Sequence, residues 1–81
     1  MASGTYNIQP YAVTAPYSGT ATSIKFTYTP EDVEMPFIYT LYSSDGEYLK
    51  VAEDVVEETT TGLPTQDIVN KMAAVVGVTL V

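Results

Sequence analysis

The chain contains no cysteine, no histidine, no arginine and no tryptophan, and its only basic side chains are Lys25, Lys50 and Lys71. Each absence removes a class of mechanism. Without cysteine there is neither a disulfide nor a thiolate metal site to brace a small fold. Without histidine there is no imidazole base poised near neutrality, so Ser-His-Asp and Cys-His arrangements are ruled out. Without arginine no guanidinium clamps a phosphate or a developing oxyanion. A carboxylate pair, a lysine or a tyrosine remains, and each needs a deep pocket to shift its pKa. An 81-residue chain has little depth to offer. The sequence reads as non-enzymatic, with no cofactor.

Positive charge is scarce while ten carboxylates are present, giving a net charge of −7. Nucleic-acid backbones are bound by neutralising phosphates with Lys and Arg, so direct nucleic-acid binding is not expected. The same field repels anionic lipid. No stretch approaches the roughly 20 apolar residues needed to span a bilayer, and Met1 to Tyr6 has neither a basic region nor an apolar run of a secretory signal. The expectation is a protein made in the cytoplasm, with a protein as its partner and no membrane.

With 46% hydrophobic residues the chain is too apolar to stay disordered. At this length it forms one domain, 1–81, and one core. A core of that size contributes only about 3–5 kcal/mol of stability, so non-covalent help from a partner or from self-association is useful.

The periodicity sorts the chain into α+β: an antiparallel sheet of three to four strands, one C-terminal helix packed on it, and an extended N-terminal arm. Residues 1–20, interrupted by Gly4, Pro10, Pro16 and Gly19, form that arm or an edge strand. Residues 21–57 read as a β-meander. Within it Ile24, Phe26 and Tyr28 alternate with Lys25, Thr27 and Thr29 at the period of a half-buried strand. Pro30 to Pro36 is a connecting loop in which Pro30 could open a short helical turn. Phe37 to Tyr42 and Tyr48 to Val56 are strands joined across Asp45-Gly46. A three-residue loop, Ser44-Asp45-Gly46 with Gly46 left-handed, places Leu49 and Val51 on the face of Phe37, Tyr39 and Leu41; a two-residue loop would place Lys50 there. The three-residue loop is preferred, leaving Ile38, Thr40, Tyr42, Tyr48 and Lys50 on the opposite face. Residues 64–76 form the helix, with Ile68, Val69, Met72, Ala73, Val75 and Val76 at helical spacing and Gly77 as its stop. Val78 to Val81 is a terminal strand, returning to the sheet or adding to another subunit's edge.

Two acidic groups, Glu31/Asp32/Glu34 and Glu53/Asp54/Glu57/Glu58, do not match the spacing of a calcium loop and read as solvated charge. Tyrosine carries more information. Seven tyrosines exceed what a small core needs, and the side chain offers rigid contact area with a polar tip that favours interfaces. Together with the two-sided hydrophobicity of the hairpin, this marks Tyr6, Tyr11, Tyr17, Ile38, Tyr42 and Tyr48 as candidate interface residues.

In its length, acidity, lack of cysteine, arm-like N-terminus and Thr/Tyr-rich strand Ala21-Thr22-Ser23-Ile24-Lys25-Phe26-Thr27-Tyr28-Thr29, the chain resembles small virion proteins of tailed bacteriophages. These include capsid decoration (cement) proteins and short tail or neck components. No diagnostic motif accompanies the resemblance, so no functional residue is carried over. It implies a repeated structural unit of a virion that stabilises a larger shell or tube. The leading expectation is a structural protein that forms a homo-oligomer or docks in many copies on a larger protein assembly through tyrosine-bearing strand faces and its terminal segments. The alternative is an inhibitor whose carboxylates mimic nucleic-acid phosphates in a basic enzyme groove. A carbohydrate-binding module with tyrosine platforms is a third reading.

Overall fold

The computed structural model describes all residues 1–81. Four strands, β1 (Ala2–Val13), β2 (Gly19–Tyr28), β3 (Met35–Ser43) and β4 (Tyr48–Val56), form an antiparallel meander in the order β1-β2-β3-β4, followed by helix α1 (Thr65–Val76). This is the expected α+β arrangement with all four strands. The extended N-terminal arm is not present as such: β1 begins at residue 2 and is hydrogen-bonded along β2, from Ala2 opposite Tyr28 to Val13 opposite Gly19. Alternation explains the difference, because Ala2, Tyr6 and Ile8 turn toward the core while Ser3, Thr5 and Asn7 turn away. Pro10 does not end the strand. It sits in an irregularity where the β1–β2 register shifts between Asn7 and Tyr11, a position where its missing N–H breaks no regular ladder.

Helix α1 starts at Thr65 after Pro64 and ends on Gly77, whose φ of 91° is the left-handed cap that glycine adopts at least cost. Ile68, Val69, Met72 and Ala73 are buried against the sheet, and Val75, expected in that stripe, is exposed. The core they cover includes Ile24, Phe26, Met35, Phe37, Tyr39, Leu41 and Val56. Phe26 lies at its centre, edge-on to Phe37 at 5.8 Å and tilted against Tyr6 at 6.2 Å. The C-terminal residues return to this chain's own sheet. Leu80 bridges Ile8, Gln9 N–H donates to Thr79 O at 2.8 Å and Val81 N–H to Asn7 O at 3.1 Å, so β1's outer edge is covered in part.

The hairpin between β3 and β4 corrects one expectation and keeps another. Its turn has the expected form: Ser43 N–H donates to Glu47 O, Gly46 N–H to Ser43 O, and Gly46 has φ +80°. Tyr42 then pairs with Tyr48, but the next pair is Leu41 with Lys50, so Leu49 is an extra, bulged residue. That single insertion reverses the faces beyond it. Lys50, Ala52 and Asp54 share the side of Leu41, Tyr39 and Phe37, while Val51 points to the opposite side and is 48% exposed. Leu49 stays buried because the bulge lets it turn inward, where its methyl groups meet Gly19. The loop from Pro30 contains no helical turn.

Candidate interaction surface

Helix α1 and its flanking loops cover one face of the sheet, and the other is open. Its composition follows from register. One row runs Ser3, Thr27, Ile38, Glu53; the next Thr5, Lys25, Thr40, Val51; the third Asn7, Ser23, Tyr42, Tyr48. The half on β1 and β2 is polar and rich in Ser and Thr. The half on β3 and β4 is apolar: Ile38 is 43% and Tyr48 44% exposed, Tyr42 is half-buried, and Val51 lies diagonal to Ile38. Tyr17, from the loop between β1 and β2, extends this strip. Its ring meets Tyr48 edge-on at 5.7 Å, and its N–H donates to Leu49 O at 3.4 Å.

Of the six residues singled out from the sequence, Tyr17, Ile38, Tyr42 and Tyr48 therefore share one surface. Tyr6 and Tyr11 do not join them. Both are half-buried on the helix side, Tyr6 against Phe26, and both pack against the core. Val51 belongs to the surface and was expected inward; nothing in the alternation of residues 48–56 signals the bulge that turns it out.

Two tyrosines of the helix side, Tyr28 and Tyr39, are held neutral. Burial pushes the Tyr28 hydroxyl above its usual range, with Tyr6 adding to the effect and the nearby Thr65 side chain opposing it. Burial likewise raises Tyr39, helped by Tyr11 and Asp54. Neither is poised to give up a proton near neutral pH.

At one end of the sheet a threonine clasp joins the two acidic loops. Thr60 is fully buried; its hydroxyl accepts Glu31 N–H at 2.9 Å and lies 3.3 Å from Met35 Sδ. Thr60 N–H donates to Glu31 O at 2.9 Å, Thr59 Oγ1 to Asp32 O at 2.8 Å, and Thr61 Oγ1 to the Asp32 carboxylate. Glu31, Asp32 and Glu34 are thus fastened beside the loop bearing Glu57 and Glu58, and Glu58 is paired with Lys71. No three of the acidic side chains converge as metal donors. An open groove of about 850 Å³ runs between the end of β4 and the helix, lined by Asp54, Val55, Glu58, Lys71, Ala74 and Val75 among others. No helix is long and apolar enough to cross a membrane. Compared with protein families, with curated proteins and with solved structures, the chain matches none.

Proposed function

We propose that this chain is a non-catalytic assembly domain that docks on a larger protein assembly through the open face of β3 and β4, as a virion component such as a capsid decoration or tail-associated protein does. The observation that carries the reading is the uncovered strip of Ile38, Val51, Tyr42, Tyr48 and Tyr17. The chain's single helix has only 12 residues, and its buried side, Ile68, Val69, Met72 and Ala73, packs on the other face. Exposed apolar area rimmed by polar residues is the usual mark of a protein-binding surface. Here the Ser/Thr-rich half around Lys25 supplies the polar rim. The resemblance to phage structural proteins supports the virion setting.

The lysines give a test, because Lys25 stands in the middle row of the open face and Lys71 on the helix. Lysine-directed cross-linking of native material should capture a partner from Lys25, and Ile38→Lys with Tyr48→Ser should abolish retention in the assembly. Unchanged retention of that double variant overturns the reading.

The clasped acidic end favours one rival, the phosphate-mimicking inhibitor, since Thr59 to Thr61 hold both acidic loops side by side. The two readings part on salt. Binding to an acidic decoy weakens steeply as salt rises, whereas apolar docking changes little.

A further inference from the structure

The outer edge of β4 has no neighbouring strand. An unpaired edge is a template for another strand unless something blocks it. Here the blocking is partial. Val55 N–H donates to the Asp54 carboxylate at 2.9 Å, and opposite Val55 stands Pro36, which has no N–H to exchange. Val55 therefore faces outward, and by the alternation of an antiparallel ladder so do Glu53 and Val51. At the other end of the strand the Leu49 carbonyl is already engaged by Tyr17 N–H. Between these two occupied groups lies a free window, the N–H and C=O of Val51 and of Glu53, with Ala52 at its centre.

Two donors and two acceptors placed symmetrically about one residue are self-complementary. We propose that two copies of this chain pair antiparallel through β4, about a two-fold axis at Ala52, so that Val51 of each exchanges both backbone hydrogen bonds with Glu53 of the other. Charge selects this register over its neighbours. Centred on Ala52, the pairing sets Lys50 opposite Asp54 of the second copy on the helix side, twice, and Glu53 opposite Val51 on the open side. Shifting the centre to Glu53 would bring two Glu53 carboxylates face to face, and shifting it to Val51 would leave Lys50 opposite Ala52. The groove beside the edge agrees with this choice. It holds the carboxylates of Asp54, Glu57 and Glu58 with Lys71 as its cation, and the incoming Lys50 would enter it.

The edge is a different surface from the open face, so each can fail without the other. Because the chain lacks cysteine, Ala52→Cys introduces a single thiol. In the proposed register the two Ala52 positions form the close kind of antiparallel pair, with Cα atoms about 4.5 Å apart, within disulfide reach. In a glutathione redox buffer Ala52→Cys should form a disulfide dimer much faster than Asp45→Cys, whose thiol sits in the hairpin loop. Lys50→Glu should weaken dimerisation in sedimentation velocity by about tenfold, since both charge pairs become repulsive. The double variant Lys50→Glu/Asp54→Lys should restore it, and thermal melts of each variant establish that it folds. Ile38→Lys, one of the two changes expected to remove docking through the face, should leave Ala52→Cys cross-linking unchanged. Equal rates for Ala52→Cys and Asp45→Cys, failure of the double variant to recover, or loss of cross-linking in Ile38→Lys would each overturn the edge pairing.

Discussion

Thr60 is the one fully buried polar side chain, and its replacement by valine tests whether the clasp holds the loops or merely fills space. Valine has the same shape, so packing is nearly preserved and the change is chemical. If the hydroxyl were idle, exchanging it for a methyl in a dry site would leave stability unchanged or raise it, because burying an unused polar group is unfavourable. In the structure it is not idle: it accepts Glu31 N–H at 2.9 Å. Removing one partner of such a bond strands the other, at a cost of about 1–3 kcal/mol. Glu31 is an exposed residue with its N–H only partly buried, so water recovers part of the loss and the expected cost is about 1–2 kcal/mol. For a domain of this size that lowers Tm by about 5–15 °C. The assay is urea unfolding with a parallel thermal scan: the midpoint should fall with an unchanged slope, since the surface exposed on unfolding is the same. A Thr60→Val midpoint at or above that of the native chain would refute the role given to this hydroxyl.

Two further outcomes follow from burial and register. The raised pKa values of Tyr28 and Tyr39 mean that the folded chain holds protons which the unfolded chain releases near pH 10, so their contribution is full below about pH 10 and is lost as pH rises through the folded-state values. Urea midpoints should be level between pH 8 and about 9.5 and fall beyond it, with a shallower fall in Tyr39→Phe; midpoints that stay level to about pH 11 would contradict the burial of both hydroxyls. Leu49→Ala should cost about 2–5 kcal/mol because the bulge buries that side chain, whereas Val51→Ala, on the open face, should stay within about 0.5 kcal/mol. The reverse ranking in denaturant melts would mean a hairpin without the bulge.

Regular alternation and helix signals made most of this fold readable. The 2.0 period of Ile24, Phe26 and Tyr28, the Asp45-Gly46 turn and the helix bounded by Pro64 and Gly77 all rest on local rules, and the structure follows them. Two of the misreadings share a cause, which is that bulges carry no local signature. Ile8, Gln9 and Pro10 lie opposite little more than Thr22, so Pro10 is accommodated within β1, and of the two readings left open for residues 1–20 the edge strand holds and the arm does not. Leu49 inserts into β4 and exchanges the faces of Lys50 and Val51. In both places the local pattern is overridden by tertiary demands, the capture of Ile8 by Leu80 in one and the burial of Leu49 near Gly19 in the other. The candidate surface was half legible. Ile38, Tyr42 and Tyr48 lie before the bulge or at its start and keep their expected side. Tyr6 and Tyr11 resemble the exposed tyrosines in sequence, and only the path of β1 across the helix side assigns them to the core.

The open face and the free edge meet at β4, and this has a consequence for what the face can hold. On a single chain the apolar strip borders that edge, with the polar Ser/Thr half lying away from it on β1 and β2. Pairing about Ala52 would therefore join two strips at the centre of an eight-stranded sheet, with Val51 of one copy beside Glu53 of the other and the two polar halves as outer wings. The joined surface would have two-fold symmetry, so it would suit a partner that is itself two-fold, or two equivalent sites on an assembly. A single chain presents only half of that surface, and its affinity for the same target would be lower by the loss of the second, linked contact. Locking the dimer with Ala52→Cys should then tighten docking on native assemblies relative to Lys50→Glu at equal chain concentration. Equal binding by the locked and the weakened forms would show that the strip acts one chain at a time.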